Sequence, residues 1–265
     1  MTVAGGDTSA AYDAFAPYYD SFTFESDYHA FASETLAHAR RHGLRGDRLL
    51  DLACGTGKSF VPFLERGFDV TACDFSTAML AEAARRGTRA HLLHADIRAL
   101  PELGLFDLVT CFDDALNYLL DEDQLAAAFE GMRAVLAPGG VAVFDLNSLL
   151  TYRTTFASDS VAERDGVLFA WRGRATPEAD AGCEAVADLD VFVPSGQELY
   201  SRVPVTHRQR HFPRARVEAL LERAGLRCVS VCGVLPDCSL AEPADEATHP
   251  KVVYTATHRR GGDSK

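Results

Sequence analysis

RLLDLACGTGK, residues 48–58, decides the reading of this chain. Arg48–Ala53 is a short apolar run of the kind buried on both faces of a parallel sheet, and it ends in a glycine turn. Gly55 and Gly57 permit backbone angles that other residues avoid, and they let the main chain approach a ligand closely. The pattern predicts a helix of about ten residues from the turn to Arg66, stopped by Gly67. The unpaired N–H groups at its start face the same way as the turn. The spacing is not the dinucleotide fingerprint GxGxxG, because Phe60 stands where the third glycine belongs. It is not GxxxxGK either. Taken alone, Gly-x-Gly remains open to an ordinary strand–turn–helix.

Outward from this stretch, strand and helix alternate. Upstream, residues 27–42 carry Tyr28, Phe31, Leu36 and Ala39 at helical intervals, ending at Gly43. Downstream, Phe68–Cys73 reads as a second strand closed by Asp74, and Ser76 caps a helix that runs to Gly87. Arg89–Leu93, Phe106–Phe112 and Val141–Leu146 complete five strands; Asp121 caps a helix over 122–136, which Pro138-Gly139-Gly140 stops. Five strands separated by helices imply right-handed crossovers and a parallel sheet. After residue 150 the pattern changes. Val167–Arg174, Cys183–Val193 and Glu198–Gln209 alternate apolar and polar residues, as an antiparallel meander does. Pro213–Ala224 is then a helix, Leu226–Val234 and Lys251–His258 are strands, and residues 259–265 form a frayed tail.

Two more carboxylates fall at strand ends. Asp74 in VTACDFS is placed to accept both hydroxyls of a ribose, or else to cap the next helix. Asp96 in LLHADIRAL is placed to accept an exocyclic amine, or else to form a turn before Ile97. Phe75 offers a ring for stacking on a base, or a core contact. In a parallel sheet all three strand ends share the edge where open α/β sheets bind ligands.

As an ordered set, LLDLACGTGK, VTACDFSTAML, HADIRAL, FDLVTCFDDALNYL and LAPGGVAVFDLN resemble the motifs of class I S-adenosylmethionine (SAM) methyltransferases, over residues 10–150. The resemblance implies an α/β fold with a Rossmann-like, mostly parallel sheet and an antiparallel C-terminal strand. It divides the chain into an N-terminal helical lid (1–44), the SAM-binding core (45–150), an inserted antiparallel meander over the acceptor site (151–211) and a C-terminal part completing the sheet (212–265). The loop from Asp51 through Ala53 and Gly55 to Gly57 would wrap the methionine part of SAM. Asp74 would hold the ribose, Asp96 the adenine amine, Phe75, Ile97 and Met79 the ring, and backbone near Cys111 and Phe112 the amino group. The product would be S-adenosylhomocysteine (SAH).

The N-terminal YDAFAPYYDSF is similar to the lid of the small-molecule branch, which includes sugar N,N-dimethyltransferases and glycine/sarcosine N-methyltransferases. The resemblance makes Tyr19 a cofactor contact, Tyr12 a substrate contact and Tyr18 a catalytic one. It also puts Asn117 and Tyr118 at the point of transfer and Asp114 beside a cationic amine. Asn117 departs from the related sugar enzymes, which have histidine there, and so removes an obvious base. Within the meander, Trp171, Arg172, Tyr200 and Arg202 are the candidate substrate contacts, and alternation puts Tyr200 and Arg202 on one face with Pro204. An insertion of this kind either roofs the acceptor or joins two copies of the chain. Because SAM carries an activated methyl group, an amine acceptor needs only to lose a proton, whereas a hydroxyl needs a base or metal. The acceptor implied is an amine of a metabolite or natural-product intermediate. An O-methyltransferase, with His207 or His211 as base, and a SAM-binding protein without transfer are the alternatives.

Composition agrees with a soluble enzyme of small molecules. There are 26 Lys and Arg against 38 Asp and Glu, a formal charge of −12, which repels nucleic-acid backbones and anionic membranes. No basic-then-apolar leader and no run of about 18 apolar residues is visible. The seven cysteines are scattered, without a CxxC pair, which points to a reduced cytoplasm and no metal site.

Overall fold

Successive residues of the strands turn to opposite sides, and both sides are apolar. Leu49, Val141 and Val143 pack one way; Leu50, Leu52, Ala142 and Phe144 pack the other. Such a sheet has to be covered twice. The computed structural model describes residues 12–24, 26–196 and 198–259. The start of the expected lid, residues 1–11, and all but one residue of the expected frayed tail lie outside these.

The central strands are β1 (Arg48–Leu52), β2 (Asp69–Asp74), β3 (His91–His94), β4 (Phe106–Cys111) and β5 (Leu136–Asn147), all parallel. β6 (Asp159–Arg164), β7 (Val167–Gly173), β8 (Glu184–Gly196) and β9 (Leu199–Arg210) form a separate four-stranded antiparallel sheet. β10 (Leu226–Val234), β11 (Leu240–Ala241) and β12 (Lys251–His258) return to the first sheet, whose order is β11-β10-β12-β5-β4-β1-β2-β3. β12 runs antiparallel to β5. The connections after β1 and β4 leave toward opposite edges, so a crevice opens at their carboxyl ends.

The helices are α1 (Tyr19–Phe22), α2 (Tyr28–Arg41), α3 (Val61–Glu65), α4 (Thr77–Arg85), α5 (Glu122–Val135), α6 (Leu149–Arg153) and α7 (Arg214–Arg223). Leu36 of α2, Phe63 of α3 and Ala83 of α4 cover one face of the main sheet; Phe129 of α5 and Leu220 of α7 cover the other. Ser76 and Asp121 cap α4 and α5 through the backbone N–H groups of Met79 and Gln124.

Several boundaries differ from the sequence reading. The helix after the glycine turn has five residues, not about ten, because the chain spends Ala53, Gly55 and Gly57 at positive φ before Pro62 starts α3. No helix separates β3 from β4; Pro101 and Gly104 break a connection already short. β5 begins before Pro138-Gly139-Gly140, which it absorbs as an irregularity in its pairing with β4. β6 and β11 had no alternation to reveal them. β6 is exposed along most of its length, and β11 has only two residues.

Candidate active site

A cavity of about 970 Å³, counted to its open mouth, lies over the carboxyl ends of β1, β2 and β4. Its wall includes Ala53, Gly55, Asp74, Phe75, Met79, Asp96, Ile97 and Phe112. At Gly55 (φ +54) an added Cβ would meet only the Tyr19 ring, at 3.9 Å. A bare backbone there leaves room for a ligand. A smaller recess shares Tyr19, Ala53, Gly55, Phe112 and Asp113 with the cavity and adds Tyr28 and Lys58.

The three carboxylates have different environments. Asp74 accepts hydrogen bonds from the N–H groups of Gly55 and Ser76, both at 2.8 Å, so it braces the turn while facing the cavity; burial raises its pKa. Asp96 faces the cavity with Arg98, whose guanidinium bonds both its oxygens and holds its pKa down. Asp51 does not line the cavity. It is 1% exposed, accepts from Ser59 Oγ and Thr110 Oγ1 at 2.6 Å each, and is pushed by burial up to about 7. Gly57 is also behind the wall: at φ +87 its added Cβ would lie 2.7 Å from Phe60, so glycine serves the turn itself. Cys111 is fully buried, whereas Phe112 reaches the wall.

The N-terminal segment is strapped across this edge. Asp13 accepts from Ser76 Oγ at 2.5 Å, and Asp20 accepts from Thr56 Oγ1 at 2.5 Å and pairs with Arg86. Lys58 donates to the Thr23 carbonyl at 2.8 Å, and Tyr28 donates to Asp113 at 2.6 Å. These bonds bring Tyr12 and Tyr19 into the cavity wall. Tyr18 instead packs against the apolar cluster of Phe15, Phe169 and Leu189.

At the end of β4 the backbone takes an uncommon path, with Asp113 and Asp114 both at positive φ (56° and 51°). Buried Asp145 holds them there by accepting both of their N–H groups, at 3.0 and 2.6 Å. Lys251 lies 3.9, 3.1 and 3.4 Å from Asp113, Asp114 and Asp145, so three carboxylates share one ammonium. Burial raises Asp145 to about 6, against the pull of Lys251. Asp113 lines the cavity; Asp114 turns to Gln209 and Lys251 instead. Tyr118 lines the cavity, with its hydroxyl 2.7 Å from His207 Nδ1.

Five other expected contacts stand elsewhere. Asn117 is buried, and its amide donates to the Arg210 carbonyl at 2.8 Å and accepts from Asn147 N at 2.9 Å. It ties β5 to β9. Trp171 packs on Phe22, Phe156 and His207 and donates to the Thr155 carbonyl. Arg172 and Arg202 both bond Asp190, on the face of the four-stranded sheet opposite Phe169 and Val191. Tyr200 shares that outer face and is 56% exposed. The alternation placed Tyr200 and Arg202 together correctly, but the face that packs inward is the other one. Asp145, Lys251 and Gln209 join the site without belonging to any of its sequence motifs. An aspartate inside the apolar run VAVFDLN was the available signal.

Residues 49–140 match a family model described as a methyltransferase domain. The chain is 31% identical over 221 residues, 82% of this chain and 86% of that one, to the Bacillus subtilis protein named "Putative methyltransferase YqeM". It is 30% identical over 202 residues to the dTDP-3-amino-3,4,6-trideoxy-alpha-D-glucopyranose N,N-dimethyltransferase of Streptomyces venezuelae, covering 76% of this chain and 84% of that one. A crystal structure of a SAM-dependent methyltransferase from Clostridium acetobutylicum superimposes with a TM-score of 0.77 at 26% identity, covering 93% and 98%. With its Rossmann-like sheet and a ligand-sized cavity at the carboxyl edge, this chain belongs to the SAM-dependent methyltransferases.

Proposed function

We propose that the acceptor is an amine of the amino-sugar or amino-acid type. The observation that carries this is the Asp113–Asp114–Asp145 cluster, where three carboxylates face a single lysine beside the open cavity. Its excess negative field draws a cationic amine toward the wall made by Tyr12, Tyr118 and Asp113. No histidine is among the residues that line the cavity. His207 lies behind Tyr118, and burial pushes it down to about 4, which makes it a weak base for a hydroxyl acceptor. The relative's name, an amino-sugar N,N-dimethyltransferase, supports the same reading.

In this reading Asp74 holds the ribose, and Phe75, Met79, Asp96 and Ile97 surround the adenine. Ala53, Gly55, Tyr19 and Phe112 meet the methionine part, with Lys58 and Asp113 at its zwitterionic end. SAM, when bound, supplies a methyl group already activated on a sulfonium. The chain's own work is orientation and the exclusion of water. The straps from Asp13, Asp20 and Tyr28 hold the lid closed over both partners. The amine gives up its proton to water before attack, and Tyr118 and Tyr12 orient its nitrogen. The protein works in the cytoplasm, takes no nucleic acid, and meets a second copy through the inserted sheet. No described helix is long and apolar enough to cross a membrane.

The test is methyl-labelled SAM offered with dTDP-3-amino-3,6-dideoxy-alpha-D-glucopyranose, the amine in another relative's name, and with the same sugar bearing a 3-hydroxyl. Label on the amine nitrogen supports the reading. Label on the hydroxyl sugar alone overturns it.

A further inference from the structure

Behind the acceptor wall stands a histidine that does not itself line the cavity. His207 lies on β9, on the face packed against the lid, and is 4% exposed. Phe22 stacks on its ring at 6.4 Å and 13°, Trp171 lies at 5.2 Å, and Phe15 meets it edge-on at 6.3 Å. Two phenols converge on Nδ1, Tyr118 Oη at 2.7 Å and Tyr12 Oη at 3.4 Å. Nε2 is buried without a hydrogen-bond partner among the described residues.

A neutral imidazole has one N–H and one lone-pair nitrogen. Burial keeps His207 neutral and keeps both phenols protonated. With the Tyr118 hydroxyl, the nearer of the two, donating to Nδ1, that atom is the lone-pair nitrogen and the ring proton sits on Nε2. The Tyr118 proton is then spent on the histidine. We infer that His207 is a positioning residue: it draws the Tyr118 proton out of the cavity wall, so that Tyr118 shows the acceptor only oxygen lone pairs. Such an oxygen receives a hydrogen bond from N–H and has no proton to give to an ether or carbonyl. The wall therefore favours acceptors that donate a hydrogen bond over ethers and carbonyls, and it holds a primary or secondary amine by its N–H, which leaves the nitrogen lone pair free for the methyl group. The substrate part of this inference rests on the amine reading above; the placement of the proton does not.

The experiment has two arms. In protein labelled with nitrogen-15 histidine and saturated with SAH, long-range proton–nitrogen spectra report the tautomer of His207. The expected result is a neutral ring protonated at Nε2, with an Nδ1 resonance that moves in Tyr118→Phe. Protonation at Nδ1, or an Nδ1 signal indifferent to Tyr118→Phe, overturns the inference. The second arm follows methylation of dTDP-3-amino-3,6-dideoxy-alpha-D-glucopyranose. His207→Leu should raise KM for this amine about tenfold, the size of one lost hydrogen bond, with kcat less affected and SAH affinity by calorimetry unchanged. His207→Asn keeps an acceptor near Nδ1 and should restore most of the loss. An unchanged KM in His207→Leu, or SAH affinity that falls in step with it, also overturns the inference. If the wild-type protein puts no label on the amine, that failure falls on the amine reading, and the spectra still decide the role of His207.

Discussion

The two sheets serve one cavity in different ways, the first by lining it and the second by packing behind its wall. The eight-stranded sheet works through its edge, where the backbone at Ala53 and Gly55 and the carboxylates of Asp74 and Asp96 stand at strand ends and reach the ligand space directly. The four-stranded sheet works through a face. Its inward residues His207 and Gln209 touch Tyr118 and Asp114, which in turn form or support the wall, while its outward residues Arg172 and Arg202 pair with Asp190. A strand end is a place in the chain, so motif spacing reveals it. A face acquires its role only when something packs against it.

The sharpest way to break this comparison is to remove an edge carboxylate. Asp74→Ala should weaken SAM binding by about 1–3 kcal/mol, roughly ten- to a hundredfold by calorimetry, since it removes charge-assisted bonds and frees the Gly55 N–H. Unchanged affinity would reduce Asp74 to a brace of the turn.

An effect on stability, not on binding, separates Asp51 from the other edge carboxylates. Its pKa rises from an ordinary 3.8 to about 7 in the folded protein, so the folded state holds this proton better than the unfolded one. That contribution to stability is complete below about pH 4 and is lost as pH rises to about 7. Asp145, raised to about 6, adds a similar slope of its own. Asp51→Asn should therefore flatten the fall of Tm between pH 4 and 7 relative to wild type, with SAM affinity little changed. Parallel Tm curves for the two proteins would show that Asp51 is not titrating in that window.

The smallest effect belongs to the outer face. Arg202→Ala should lower stability by about 1 kcal/mol, because the buried Asp190 carboxylate keeps Arg172 as a partner, and leave SAM affinity and the KM of the amine unchanged. A raised KM would bring that face into the site and erase the distinction between the two sheets.

The legibility of the chain follows the same division. The parallel strands and the caps at Ser76 and Asp121 were readable because apolar runs and capping side chains act locally. The helix α3 is shorter than its sequence pattern predicts because the loop's three positive-φ residues consume the length that helical pattern alone would assign. Asn117 looked like a site residue from its neighbours in the motif; its amide is committed to Arg210 and Asn147, which lie 93 and 30 residues away. No local signal carries such a bond.

By itself the sequence determined a ligand edge with carboxylates for a ribose and a base, since GTG, Asp74 and Asp96 recur at successive strand ends and a parallel sheet must bring such ends to one edge; the resemblance of the ordered motifs to SAM methyltransferases named the methyl donor. It also determined that Tyr200 and Arg202 share a face, because strand periodicity is a property of the backbone. Only the tertiary structure decided that this face looks outward, that Asp145 and Lys251 gather Asp113 and Asp114 into one charged cluster, and that His207 stands behind Tyr118. The reason is physical: these groups come from β4, β5, β9 and β12, and the free energy of packing two apolar sheet faces against the lid, not any local preference, sets which of them meet.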